Sequence, residues 1–228
     1  RSNIQQANLI LVNSDFMKET VSKVYPVKPK TNYAGVDIKF FTPENLPKEN
    51  FLFSVGSLTP LKGFDFIIRS IALLPKEIRL PLVIASNFEN PPERTYLQEL
   101  AIELNIELRL MVGISDQLLK DLYNKATLTL YAPIREPFGL VAIESMACGT
   151  PVVGVAEGGL VETIQHQTTG LLTQRNEQEF AKAIQTLLSN PQKINEFRKA
   201  GVVATSQNWS WDLSANNFEK HFQFLKNN

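Results

Sequence analysis

A short apolar run, a turn and a helical pattern follow one another repeatedly along most of this chain, and that alternation restricts the fold more than any other feature. Strand-like runs lie at 51–56, 80–86, 107–112, 127–132, 151–155 and 170–173. They are brief and rich in Val, Leu and Ile, as strands buried on both faces are. Helical patterns fill 63–74, 96–104, 117–125, 140–147, 177–188 and 194–205. In the first of these, Phe64, Ile67, Ile68, Ile71 and Leu74 repeat at helical spacing. Strand–helix alternation predicts an α/β domain: a Rossmann-like parallel sheet with helices on both faces. For six strands the expected order is 3-2-1-4-5-6. Ligands then bind beyond the C-terminal strand ends, at the switch point between the first and fourth strands.

Two stretches fall outside this unit. Residues 7–13 read as a strand and 14–24 as a helix capped by Ser14. A proline-containing segment follows and ends in Tyr33-Ala34-Gly35-Val36-Asp37. One strand and one helix do not make a domain. Residues 1–50 are therefore expected to be the end of a preceding N-terminal domain plus a linker, and 51–207 the Rossmann-like domain. Residues 208–228 are expected to form an aromatic, amphipathic helix that needs a partner surface. Trp209 and Trp211 are read as its packing anchors. Phe218, Phe222 and Phe224 are expected either to pack on residues 1–50 or to drive self-association. The chain opens on Arg1 rather than methionine, so it is expected to belong to a longer protein.

Composition removes several classes of function. Hydrophobic residues make up 43% of the chain, enough for a buried core. Lys plus Arg number 23 and Asp plus Glu number 23. The zero net charge argues against a nucleic-acid partner, although a local cationic pocket stays compatible with it. The single cysteine, Cys148, permits neither an intrachain disulfide nor a Cys-based metal cluster. It is read as a small buried residue at a helix end. The two histidines, His166 and His221, are far apart in sequence, and His166 is expected at the surface. No metal or cofactor is expected. No apolar run approaches the roughly 18 residues of a membrane span, and the expected setting is cytoplasmic.

The densest chemical signal is the segment 135–151, REPFGLVAIESMACGTP. A strand ends near Ala132, a loop with Pro133 and Pro137 follows, and a helix opens near Gly139. The amides of Phe138, Gly139 and Leu140 lie at its positive end without intrahelical acceptors, a natural site for a diphosphate. Glu136 lies in the loop and Glu144 in the second turn. Helical side chains lean toward the N-terminus, so Glu144 can reach the same pocket. A carboxylate accepts two hydroxyl hydrogen bonds at once, which suits a ribose diol or a hexose. Two glutamates near a helix start also fit plain capping and solvation, and the residues alone leave both readings open.

Glu136, seven intervening residues and Glu144 match the EX7E motif of retaining GT-B glycosyltransferases. The neighbours Glu136-Pro137-Phe138-Gly139-Leu140 and Glu144-Ser145-Met146-Ala147-Cys148-Gly149-Thr150-Pro151 resemble family 4. So do Gly158-Gly159-Leu160-Val161-Glu162 and Gly170-Leu171-Leu172 further on. Upstream, Gly35-Val36-Asp37 with Phe41 resembles the family's linker, and Gly56 through Lys62-Gly63 its first glycine-rich loop. The likeness covers nearly the whole chain in the right order.

The resemblance implies a C-terminal, donor-binding domain that holds a nucleoside-diphosphate sugar. It places Glu136 against the donor sugar, Glu144 on the ribose and Lys62 on the diphosphate, with Glu136 and Lys62 as the catalytic pair. Gly56, Ser57, Arg135, Phe138, Gly139 and Leu140 complete the donor site, and a base-binding loop is expected around Met111, Val112 and Gly113. It implies retention at the anomeric carbon without a metal. It also implies an N-terminal acceptor domain outside this chain, without which the fragment is inactive, and peripheral membrane association of the full-length protein.

Two departures touch the same cleft. The family usually has arginine after the first strand's glycine, and here Ser57 follows Gly56. The second strand usually ends in a glycine pair, replaced here by Ala85-Ser86-Asn87. Donor binding weakened, rearranged around Arg135, or lost are the three readings these changes leave open. The last would make the chain a non-catalytic module of the same fold. A nicotinamide-dependent Rossmann oxidoreductase needs a G-x-G-x-x-G turn, which Gly56-Ser57-Leu58-Thr59-Pro60-Leu61 does not supply.

Overall fold

A computed structural model describes residues 2–226. The expected packing of Phe224 falls on a side chain outside the described residues. In chain order the elements are α1 (Ser2–Gln5), β1 (Leu11–Val12), α2 (Asp15–Val24), β2 (Lys30–Thr31), β3 (Leu52–Val55), α3 (Phe64–Ala72), β4 (Leu82–Ser86), α4 (Pro91–Glu103) and β5 (Leu108–Val112). Then come α5 (Asp116–Lys125), β6 (Leu128–Tyr131), α6 (Leu140–Ala147), β7 (Val152–Val155), α7 (Leu160–Thr163), β8 (Gly170–Thr173), α8 (Glu177–Leu188), α9 (Pro191–Asn208) and α10 (Trp211–Lys226).

The main sheet has six parallel strands in the order β5-β4-β3-β6-β7-β8. Counted from β3, this is the order 3-2-1-4-5-6, with the switch point between β3 and β6. A detail absent from the sequence reading shifts the numbering by two. β1 and β2 pair in parallel as a separate two-stranded sheet, because Lys30–Thr31 is too short to carry a periodic signal.

Alternation along the strands feeds two cores. Leu52, Leu82, Ile84, Leu128 and Leu130 face α3, α4 and α8, where Ile67, Ile71, Leu97, Phe180 and Ile184 complete a cluster with almost no exposure. Phe53, Val83 and Ala85 face the other way, onto Leu122, Tyr123 and Cys148. Next to them α6 buries Ala142, Ile143 and Met146 under Tyr131 and Phe138. Each fully buried aliphatic side chain stabilises the fold by about 1.5–3 kcal/mol. Covering both faces explains why these strands read as near-continuous apolar runs.

The chain ends meet each other. Val36 bridges Ser210, and Ser214 Oγ donates to the Tyr33 carbonyl at 2.7 Å. Trp209 packs edge-on to Tyr33 and Phe138, with ring centroids 5.3 and 5.5 Å apart. Trp209 is thus an anchor, but Trp211 is not: it is 57% exposed, because it opens α10 on the solvent side. Phe218 and Phe222 lie against each other with tilted rings 4.9 Å apart, and both stay about half-exposed. The start of α10 meets residues 1–50 through Ser210 and Ser214. No helix among the described residues is long and apolar enough to cross a membrane.

Candidate functional site

A cleft of about 470 Å³ opens at the switch point, beyond the C-terminal ends of β3 and β4. Gly56, Ser57 and Lys62 form one wall, Ser86 and Asn87 the floor, and Val141 and Glu144 of α6 the opposite wall. The strand ends aim these residues together because parallel strands all deliver their following loops to one edge.

Lys62 ends a short 3-10 turn, Pro60–Lys62, and its stem lies over Gly56. A Cβ at Gly56 would stand 3.0 Å from Lys62 Cγ, so a side chain there would push the lysine away. Lys62 Nζ donates to Glu136 Oε2 at 2.8 Å, with both side chains only about a fifth to a quarter exposed. The two residues expected to act as a pair therefore do meet.

Gly139 is the N-cap of α6, which starts at Leu140. Among the described residues the amides of Phe138, Gly139, Leu140 and Val141 have no hydrogen-bond acceptor. Four such N–H groups at a helix start form the positive end of its dipole. The Phe138 side chain itself is buried against Tyr33 and Trp209, so only its backbone is available to the site.

Glu144 lies one turn further on and accepts from Tyr123 Oη at 2.9 Å. Burial pushes its carboxyl up to about 7; the Tyr123 hydrogen bond opposes the shift and the Asp116 charge adds to it. Burial and the same carboxylate hold the Tyr123 phenol well above its ordinary range. Tyr131, buried with Glu136 as its acidic neighbour, is raised in the same way.

Other expected residues stand apart. Arg135 is exposed, and its guanidinium lies 5.6 Å over the Phe16 ring and near Glu157, whose carboxyl is lowered mainly by Arg175 and also by Arg135. It takes no part in the cleft lining. Met111 packs into the core beside Tyr123, and Gly113 donates to the Ser86 carbonyl at 2.9 Å. Ile114, within the expected base loop, lines the cleft together with Asp116 and Leu119 just beyond it. Cys148 is buried and His166 exposed.

Tyr123, Asp116, Arg175 and Glu162 also shape the site or its surroundings, beyond the residues expected from the sequence. Arg175 grips Glu157 at 2.7 and 2.9 Å and donates to the carbonyls of Ala132 and Pro133, tying the loops after β6, β7 and β8 together. Only Glu162 carried a signal, as the last residue of the Gly158–Glu162 motif; the others depend on contacts between distant elements. Among the described residues no three His, Cys, Asp or Glu side chains converge as a metal site would require.

Comparison with known proteins places this architecture in a family. The family model for glycosyl transferases group 1 matches residues 37–202. A D-inositol 3-phosphate glycosyltransferase of Mycobacteroides abscessus is 32% identical over 93% of this chain and 51% of that protein. The corresponding enzyme of Kribbella flavida is 30% identical over 93% of this chain and 55% of its own length. Among solved structures, sucrose-phosphate synthase of Thermosynechococcus elongatus superposes with a TM-score of 0.87 at 26% identity, covering 98% of this chain and 60% of that one. HepE of Anabaena, solved in complex with UDP-glucose, has the same fold, with a TM-score of 0.86 at 22% identity over 95% of this chain and 64% of its own. The chain belongs to the group 1 glycosyl transferases. It spans about half the length of the curated relatives it matches.

Proposed function

We propose that this chain is the donor half of a retaining, family 4 glycosyltransferase that takes a sugar from a nucleoside diphosphate. The observation that carries the reading is convergence: Lys62, Val141 and Glu144 line one cleft at the switch point, Glu136 is hydrogen-bonded to Lys62, and the unpartnered amides of Phe138–Val141 open the helix that carries Glu144. A diphosphate would compete with Glu136 for Lys62 and take up the amides, which are preorganised to stabilise the charge of the departing group. Glu136, released from the ion pair, then faces the sugar hydroxyls, and Glu144 accepts from the ribose diol. The acceptor attacks on the leaving-group side with retention. In this reading no divalent metal is needed, because lysine and helix amides supply the positive charge. UDP is the first base to try, since HepE carries UDP and UDP-glucose.

Residues 1–50 and 208–228 are proposed as the junction with an acceptor-binding domain, 51–207 as the donor domain, and the cytoplasm as its setting. A non-catalytic reading has one observation in its favour: Ser57 lines the cleft where the family carries a cation. Calorimetric titration of UDP, GDP and ADP and their glucose conjugates, with and without EDTA, tests the proposal. One base should bind in EDTA, and Lys62→Ala should weaken it by about tenfold. An absolute requirement for magnesium or manganese, or no binding by any of the six, would overturn it.

A further inference from the structure

We propose that Ser14 and Glu162, both outside the cleft, are positioning residues that fix where Glu136 stands, and so couple the first turn of α2 to the donor-sugar carboxylate. The inference rests on the reading of Glu136 given above. It begins with the loop, which has no regular secondary structure to hold it. Arg135, directly before Glu136, sits at φ +50°, a left-handed conformation that a non-glycine residue keeps only when its surroundings impose it.

Those surroundings come from α2 and α7. The Ser14 hydroxyl is fully buried and uses both of its capacities: it accepts from the Met17 amide at 3.0 Å, capping α2, and donates to the Pro137 carbonyl at 2.5 Å. Phe16, two residues on, lies under the Arg135 guanidinium. The flanks of Glu136 are thus both held by the first turn of α2. The Glu136 carbonyl accepts from the Gly159 amide at 2.8 Å. Gly158 passes so close that a Cβ would stand 2.2 Å from that same carbonyl.

Glu162 joins the two supports. It lies on α7, just after Gly158 and Gly159, and its two carboxylate oxygens accept from the amides of Asp15 and Phe16 at 2.8 and 2.9 Å. It therefore serves as an acidic cap on α2 supplied from another element, where the unpaired amides and the dipole favour a negative charge. Any displacement of α2 pulls on Pro137, Arg135 and α7 together. By linkage, a ligand that fixes Glu136 also stiffens α2.

The test uses the whole chain and two readouts. The first needs no ligand: amide hydrogen exchange at Gly159, whose acceptor is the Glu136 carbonyl. In Ser14→Ala and in the isosteric Glu162→Gln, exchange at Gly159 should rise about fivefold, while amides in β4 and β7 stay protected. Ser14→Thr, which keeps a hydroxyl, should restore protection; a space-filling role would be met by alanine as well. The second readout is titration with UDP and UDP-glucose. Both variants should keep their affinity for UDP and lose about fivefold for UDP-glucose. Unchanged Gly159 exchange, or equal losses for both ligands, overturns the coupling. If the unaltered chain binds neither nucleotide while Gly159 responds as expected, the donor-site reading fails and the coupling stands.

Discussion

Two glutamates separated by seven residues are held in the cleft by different physics. Glu144 belongs to α6, a regular helix packed under the sheet, and its direct partner is the Tyr123 phenol. Glu136 belongs to a loop with a strained neighbour, pairs with a cation, and depends on α2 and α7 for its place. The helix gives Glu144 a low-dielectric setting that resists ionisation; the loop gives Glu136 a charged partner. One position is set by its own helix and by burial; the other is set by Lys62, by the α7 turn and by α2, whose Ser14 lies more than a hundred positions away. The difference fits the roles proposed above, with Glu144 on the ribose and Glu136 on the donor sugar.

The strongest way to break this comparison is to remove each carboxylate in turn. Glu144→Ala should cost roughly 1.5–3 kcal/mol, or about 10- to 100-fold in affinity for the nucleotide the chain selects, since an acceptor of charge-assisted bonds is lost. Glu136→Ala frees Lys62 and so should not weaken free nucleotide, while it weakens the sugar nucleotide. Calorimetry on both variants with UDP and UDP-glucose reads this directly. Equal losses for free UDP would remove the distinction.

Burial of Glu144 makes a second, somewhat smaller prediction. Its carboxyl is raised from an ordinary 4.5 to about 7 by burial. A carboxyl with a raised folded value holds its proton in the folded state while the unfolded chain releases it. Stability from this group is therefore complete below about pH 4.5 and is lost as pH rises to about 7. Urea melts at pH 5 and pH 8 should show the unaltered chain losing roughly 1–2 kcal/mol more than Glu144→Gln, which cannot ionise. The titratable groups around Glu144 include Tyr123, Asp116, Tyr131 and Cys148; the two phenols and the thiol are raised and stay neutral across this range, and the Asp116 charge acts in the same direction as burial. A pH response shared equally by the variant would place the titrating group elsewhere.

How much of this was legible in the sequence follows the same division. The six strands, the main helices and the start of α6 near Gly139 were readable because each rests on local periodicity or turn chemistry. Glu144 near the helix start followed from helix geometry, whereas Lys62 was legible only through the resemblance of Gly56 to Lys62-Gly63 to the family's first glycine-rich loop. Long-range partners were not readable. Nothing near Tyr123 marks it as the hydrogen-bond donor to Glu144, and Ser14 looked like a helix cap without showing its second bond to Pro137. The orientation of Arg135 was open for the same reason: its conformation is imposed by Phe16 and the α7 turn. Trp211 was misplaced because an aromatic in an amphipathic pattern reads as buried whichever side of the helix start it occupies.

The smallest effect concerns the absent arginine. Ser57 stands in the cleft wall beside Lys62, and Arg135 directs its guanidinium away, over Phe16 and toward Glu157. With Arg135 engaged there, the proposed site offers a diphosphate Lys62 and the α6 amides. Ser57→Arg adds a forked donor to that set. The position is partly open to solvent, so the gain is limited by screening and side-chain entropy to about threefold in affinity for UDP. It should shrink as ionic strength rises, because the added contact is a charge pair near water. Arg135→Ala should leave UDP binding alone and act instead on the loop, through the Phe16 contact. Titrations of Ser57→Arg, Arg135→Ala and Lys62→Ala at low and high salt separate the cases. If Arg135→Ala weakens UDP as much as Lys62→Ala does, the arginine swings into the cleft on binding, and the loop around Glu136 is less fixed than its contacts imply. If none of the three responds, the diphosphate is not held here, and the non-catalytic reading takes over.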